Sequence, residues 1–298
     1  MTPTAILRSA SLTEPGTEFV AWVTGAGGLI GSCLAQSAHA PENGRVIGLK
    51  REALDQTDSQ AVARRFREDS PALIIHCAAV STAAACQKDP QLARRMNIEV
   101  TARLSELCAT ARLILLSTDL VFDGRKGDYT ESDPVNPLNL YAETKVEAER
   151  IVLANPRHLV IRTSLNAGTS PTGDRSFTEQ MRHAWEQGET LKLFTDEFRN
   201  PIPAAVTARA IWELAQSSAT GILHVAGAER LNRLQIGELV AACWPDLDCL
   251  MTPASLRDFP GPPRAADCSL NCTQAQALLS FQLPHFSEWL AATATKSL

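Results

Sequence analysis

Several protein classes fall away on what this chain lacks. Within its 298 residues no apolar stretch approaches the ~20 needed to span a bilayer, so no membrane partner is expected. Residues 1–16 lack a charged start followed by an apolar core, so no secretory leader is expected. None of the eight cysteines forms a CxxC pair, and no two histidines stand at zinc spacing, so no metal is expected. Several thiols lie in apolar runs, as Cys77 does in ALIIHCAAV, which reads as small buried thiols in a reducing cytoplasm. A basic excess is missing too. Lys and Arg number 28 against 33 Asp and Glu, giving a net charge of −5, so no general attraction to nucleic acid or anionic lipid is expected. A local anion pocket needs only two or three side chains and stays open. There is no internal repeat and no low-complexity tract. With 45% hydrophobic and 20% charged residues, the composition is that of a globular protein.

What is present is a rhythm of short apolar runs separated by helical patterns. Strands are expected at Glu18–Thr24, Arg45–Leu49, Ala72–Ala79, Arg112–Ser117 and His158–Ser164, with helices at Leu29–His39, Ser59–Glu68 and Asp89–Thr110. Near-continuous apolar strands between helices predict an α/β fold, a doubly wound, Rossmann-like parallel sheet covered on both faces. After residue 165 the rhythm weakens, through a loop NAGTSPTGDR and a proline-broken stretch at Pro253–Pro263. Residues 1–165 are therefore expected to form a dinucleotide-binding domain. Residues 166–298 are expected to form a smaller substrate-binding lobe partly interleaved with it.

The first strand runs into Thr24-Gly25-Ala26-Gly27-Gly28-Leu29-Ile30-Gly31. Gly25, Gly28 and Gly31 at this strand–helix junction predict a turn whose backbone, with that of Leu29 and Ile30, can receive a pyrophosphate at a helix N-terminus. No lysine follows Gly31, which disfavours a nucleotide-hydrolysing P-loop. The second strand ends at Lys50-Arg51, where a unit preferring NAD usually carries an acid. Two cations there suit a 2′-phosphate, so NADP is expected, with NAD as the alternative. Asp55 could accept from the adenine amino group.

The fourth strand ends in Ser117-Thr118-Asp119, and Tyr141-Ala142-Glu143-Thr144-Lys145 follows. On a helix, Tyr141 and Lys145 stand at i and i+4 and share one face. An ammonium beside a phenol favours phenolate, so a lowered proton affinity is expected for Tyr141 and general acid–base work near neutral pH becomes available. Lys145 could also bond the nicotinamide ribose, and Thr118 the reacting oxygen. With 2 Tyr and 6 Lys in the chain, a chance YxxxK has a probability of only ~4%.

The segments VTGAGGLIGSCLA, HCAAVSTAAACQKDPQLARRMNIEVTARL, LLSTDLVFDGRKGDYTESDPVNPLNLYAETKVEAER and LVIRTSLNAG resemble an extended short-chain dehydrogenase/reductase, and within it the dTDP-4-dehydrorhamnose reductase family. The resemblance covers most of residues 18–230. It implies Thr118, Tyr141 and Lys145 as catalytic residues and Gly25, Gly28 and Gly31 as cofactor glycines. It places Cys77, Ala78 and Ala79 along the cofactor groove, with Asn97 beside it supporting the site, and Ser117 at the substrate. Two features depart from the family pattern. Ser81–Cys86 carries none of the acids usual after the third strand, and His76-Cys77 replaces a smaller pair. Leu120 stands where sugar-nucleotide dehydratases of the superfamily carry Glu, which argues against dehydration.

The resemblance thus implies NADP-dependent reduction of a nucleotide-linked 4-keto sugar, with Tyr141 as proton donor. Arg175 and Arg199 are expected to hold the substrate's diphosphate through paired, charge-assisted bonds. Two alternatives stand beside it: a nucleotide-sugar epimerase, and a regulatory subunit resembling methionine adenosyltransferase β. A homodimer stays open as the assembly.

Overall fold

The first apolar run, FVAWVT, is buried from end to end, as a strand covered on both faces must be. In the computed structural model of the chain, which describes residues 19–41, 44–261 and 263–294, it is strand β1 (Phe19–Thr24). The expectations on residues 1–16, on Glu18 and on Pro262 lie outside the described residues. In order follow α1 (Leu29–Ala35), β2 (Gly44–Leu49), α2 (Ser59–Asp69), β3 (Leu73–His76), α3 (Ala83–Lys88), α4 (Pro90–Arg94), α5 (Val100–Leu107), β4 (Arg112–Thr118), α6 (Leu140–Leu153) and β5 (Leu159–Thr163). The rest comprises β6 (Asn166–Ala167), α7 (Phe177–Glu186), β7 (Leu191–Phe194), β8 (Phe198–Arg199), β9 (Ile202–Pro203), α8 (Ala204–Ala215), β10 (Gly221–Val225), β11 (Leu231–Asn232), α9 (Arg233–Ala241), β12 (Met251–Ala254), α10 (Thr273–Gln276) and α11 (Phe286–Ala294).

Six strands form one sheet in the order β10-β5-β4-β3-β1-β2, all parallel. Alternate residues serve opposite layers. Ala21, Val23, Leu73, Ile75 and Ile161 pack with Leu34 of α1 and Ile211, Trp212 and Leu214 of α8. Val20, Trp22, Ile74, Leu113 and Val160 pack with Val62 of α2, Leu104 of α5 and Ala148 and Val152 of α6. The strand order reverses between β1 and β3, so the carboxyl ends of these two strands flank a crevice, where ligands of doubly wound sheets bind. The glycine turn and Cys77–Ala79 follow strands at this edge, and Thr118 ends one.

A second core lies under the later half, built from Met181, Trp185, Leu193, Ile236, Val240, Phe286 and Leu290. That half is not separate from the sheet, because β10 completes it beside β5. Arg112, at the start of β4, donates to the carbonyls of Ala215 at the end of α8 and of Ser217 and Ala219 in the turn before β10. Among the described residues no helix is long and apolar enough to cross a membrane.

Three boundaries differ from expectation by three residues or more. Strand β3 stops at His76 rather than Ala79, because the Cys77 and Ala78 N–H groups donate to Thr24 Oγ1 at 3.2 and 3.3 Å instead of to a neighbouring strand. Helix α1 ends at Ala35 rather than His39. The expected helix at Asp89–Thr110 ends at Leu107 and carries a π-helical segment at Arg95–Glu99, an irregularity frequent at functional sites.

Candidate active site

The β1–α1 turn is tight for a reason its glycines explain. Gly25 has φ +69°, and a Cβ there would lie 2.8 Å from Ala78 N. A Cβ on Gly31 would lie 2.2 Å from Gly25 O. Gly27 and Gly28 are different. A Cβ on Gly27 would meet only Lys50 Cγ, at 4.0 Å, and one on Gly28, at the N-cap of α1 where no side chain caps the helix, would lie 3.3 Å from Gly25 O. The backbone between two sterically required glycines is thus open to a phosphate, at a helix end that favours negative charge. The turn therefore fits a dinucleotide pyrophosphate.

At the adenosine end, Lys50 and Arg51 are both exposed. Arg51 lines an open hollow of about 390 Å³ together with Arg64 and Arg65. Asp55 is exposed, and its local bonds engage one of its two carboxylate oxygens. Its Oδ1 takes the Thr57 N–H at 2.9 Å and the Thr57 hydroxyl at 2.8 Å, and these bonds hold its pKa below the usual carboxylate range.

Thr118 ends β4, and its hydroxyl donates to Asp119 Oδ1 at 3.0 Å and accepts from the Leu120 N–H. Asn139 caps α6 through the Ala142 N–H, which starts the helix just before Tyr141 and brings Tyr141 and Lys145 onto its buried face. Lys145 Nζ donates to Leu116 O at 2.7 Å. Burial lowers its pKa to about 8, opposed by the Glu149 carboxylate. The expected drop in the Tyr141 pKa is not found. Burial raises it, the Asp119 charge raises it further, and only the Thr118 hydroxyl opposes. The i, i+4 spacing holds, but the ammonium is drawn to a carbonyl of β4. A phenol so placed keeps its proton at neutral pH, which suits a proton donor.

Behind these residues runs a hydrogen-bond chain with a fixed direction. Cys77 and Ala78 donate to Thr24 Oγ1, so that hydroxyl gives its proton to His76 Nδ1, 2.7 Å away. Nε2 of His76 lies 3.2 Å from Thr101 Oγ1, which itself donates to Asn97 O. The network assigns the neutral Nε2–H tautomer to His76, consistent with a pKa that burial, and then Lys145, push down to about 3. Asn97 accepts from the Val80 N–H and donates to Val80 O and Thr144 Oγ1, and Thr144 donates to Tyr141 O. Asn97 is 1% exposed. Both ends of its amide are engaged with protein, so it ties the groove wall at Val80 to α6 at Thr144.

Of the three residues expected at the substrate, Ser117 and Arg199 are placed differently from expectation, and Arg175 lies on its loop. Ser117 faces the opposite side of β4 from Thr118, and its buried hydroxyl donates to Glu149 Oε1, which also receives Arg162 Nε. It braces α6 and cannot reach a substrate. Arg175 is exposed and pairs with Asp174 at 3.1 Å. Arg199 is buried, with Nε 3.6 Å from Asp119 and its other nitrogens given to Glu197 and to the Phe198, Ala265 and Ala266 carbonyls. Asp119 stands in the Ser-Thr-Asp motif, but its part in the site depends on Ser164 and Arg199, which the motif does not show. Burial raises its pKa against the pull of Arg199 and of the Ser164 and Thr118 hydroxyls.

The six-stranded sheet, the glycine turn and the Thr118–Tyr141–Lys145 set together define an extended short-chain dehydrogenase/reductase. Residues 21–298 match the family described as the RmlD substrate binding domain, and the chain belongs to that family. It is 32% identical over 285 residues to a dTDP-4-dehydrorhamnose reductase of Mycobacterium tuberculosis (strain CDC 1551 / Oshkosh), covering 92% of this chain and 90% of that one. It is 27% identical over 273 residues to methionine adenosyltransferase 2 subunit beta of Bos taurus, covering 86% and 81%. A dTDP-4-dehydrorhamnose reductase from Bacillus anthracis, solved in complex with NADP, superposes with a TM-score of 0.84 at 23% identity over 93% of this chain and 98% of that one.

Proposed function

We propose that this protein reduces the keto group of a nucleotide-linked 4-keto sugar, of the dTDP-4-dehydrorhamnose type, with NADPH. The observation that carries the reading is Thr118 and Tyr141 in one buried site at the carboxyl edge of the sheet, in a chain of this family. The backbone of Gly27 to Gly31 holds the pyrophosphate, and Lys50 with Arg51 favours the 2′-phosphate of NADP over the bare ribose of NAD. When bound, NADPH supplies a hydride to the ketone carbon. Tyr141 donates its phenolic proton to the oxygen that becomes the hydroxyl. Thr118 turns its hydroxyl from Asp119 to that oxygen and fixes its position. Lys145, still mostly protonated at neutral pH with a pKa near 8, holds the ribose and balances the charge that develops on the oxygen.

The test is loss of NADPH absorbance with dTDP-4-dehydrorhamnose as substrate, in the wild type and in Tyr141→Phe. The variant should turn over about 10²–10⁴-fold more slowly while binding NADPH as the wild type does. An epimerase would show product without stoichiometric NADPH loss. The similarity to methionine adenosyltransferase 2 subunit beta favours a second reading, a binding subunit. A stable complex with a methionine adenosyltransferase catalytic subunit, and no turnover of any nucleotide sugar, would replace the first reading with this one.

A further inference from the structure

Helix α6 carries a third ionisable group on the face that holds Tyr141 and Lys145. Glu149 stands one turn beyond Lys145 and two beyond Tyr141, and it is 3% exposed. The proposed reduction makes no use of it, yet both its oxygens are taken. Oε1 receives the Ser117 hydroxyl at 2.5 Å and Arg162 Nε at 3.0 Å, and Oε2 receives Arg162 Nη2 at 2.7 Å. Arg162 is equally buried. Its Nη1 donates to His224 Nε2 at 3.4 Å, and its guanidinium carbon lies 5.1 Å from the centre of the Phe122 ring. His224 donates from Nδ1 to Tyr129 O at 3.0 Å, a tautomer that these partners assign. One carboxylate thus joins α6 to β4, to β5 and, through Arg162 and His224, to β10.

Lys145 is tied to the same stretch of β4. Its ammonium bonds Leu116 O, and Glu149 bonds the hydroxyl of Ser117, the next residue. Adjacent positions of one strand therefore fix two successive turns of the helix. The other titratable groups around Lys145 carry no charge at neutral pH. Burial pushes the His76 pKa down to about 3 and the Cys77 thiol up to about 12, and Tyr141 keeps its proton. Glu149 is the carboxylate that acts on the ammonium. An ammonium in a dry site needs such an anion, because nothing else offsets the water it has lost. We propose that Glu149, locked by Arg162 and Ser117, is a positioning residue for Lys145 that fixes α6 against β4 and supplies the countercharge to the ammonium. The proposal rests on the reductase reading, which gives Lys145 its work.

The test follows the Lys145 resonance by NMR in protein labelled at lysine, where Lys145→Met identifies it among the six lysines. In the wild type it should titrate near pH 8. Glu149→Gln keeps the shape and loses the charge, so the titration should fall by about one unit or more. The alkaline limit of kcat for reduction by NADPH should fall with it, while KM stays within about twofold. Glu149→Gln combined with Arg162→Met removes both charges and should titrate between the two. Without an unpaired buried guanidinium it also keeps the test alive if the single variant does not fold. An unmoved Lys145 titration in the variants would overturn the proposal. So would a kcat lowered equally at every pH, which would mark a merely structural brace. A moved titration in a protein that never reduces the keto sugar would keep the countercharge and overturn the reductase reading. Reduction by the wild type with an unmoved titration would do the reverse.

Discussion

Replacing Lys145 with Met should make the protein inactive and, at neutral pH, more stable. The ammonium is 3% exposed, and its pKa falls from 10.5 to about 8. That shift corresponds to about 3 kcal/mol, the penalty of folding with the charge inside. Losing the bond to Leu116 O returns about 1 kcal/mol or slightly more, so the variant should gain about 2 kcal/mol near pH 7. The gain has a signature in pH. Because the folded pKa is the lower one, between about 8 and 10.5 the unfolded wild type binds more protons than the folded, and wild-type stability rises with pH. By about pH 9 the rise amounts to about 1 kcal/mol, so the Met variant's advantage should shrink to about half. The thiols act in the opposite sense. Burial raises Cys77, Cys108 and Cys272 from 9.0 to about 12, so unfolded thiols ionise first and stability falls above about pH 9. Both proteins share that fall, and the difference between them isolates Lys145. Urea unfolding of the cofactor-free proteins under reducing conditions, near pH 7 and near pH 9, makes the comparison. A Met variant less stable than wild type near pH 7, or a difference that does not change with pH, would refute the reasoning.

Gly31→Ala drives a Cβ to 2.2 Å from Gly25 O and should lower stability by about 1–3 kcal/mol in thermal melts, whereas Gly27→Ala, with nothing closer than 4.0 Å, should melt within about 0.5 kcal/mol of wild type. Lys50→Ala with Arg51→Ala should bring NADPH and NADH affinities close to parity, and added salt should erode the wild-type preference in the same titration; equal affinities in the wild type would show both cations to be merely solvated. Asn97→Ala strands the Val80 N–H and loosens Thr144, so urea midpoints should show a loss of about 2–3 kcal/mol and kcat should fall with little change in the NADPH Kd.

The parts of the site that are local in sequence are legible in the sequence itself. Gly25 and Gly31 meet across six residues, and Tyr141 and Lys145 share a face through one helical turn. Thr118 reaches the edge of the sheet because it is the last residue of an apolar strand. The arginines are not legible in this way, because what decides their role is distant in sequence. Arg199 is neutralised by Asp119, eighty positions earlier, and by Glu197, which is also held by Arg264. The sequence alone shows six arginines between 175 and 233 without showing which carboxylate each one meets. Alternation along β4 is enough to exclude Ser117, since its neighbour Thr118 takes the crevice side. The Tyr141 pKa runs against its charge spacing because burial and the Asp119 charge both raise it, and only the Thr118 hydroxyl opposes.

The place of β10 bears on how the chain comes to be folded at all. Strand β5 carries LVIRT with every residue buried, and it is covered on its outer edge only by a strand that begins at Gly221. A nascent chain that has emerged to residue 165 therefore holds a five-stranded sheet with an apolar, unpaired margin, the kind of edge that recruits other chains. Until some sixty more residues have been synthesised, that margin has no native partner, and the pairing closes a long loop that is slow to form. Cutting the protein between its two halves would leave the first as an aggregating fragment rather than a small cofactor-binding protein. Strand β10 thus acts as the latch of synthesis: the later half of the chain is threaded through the same piece that seals the sheet.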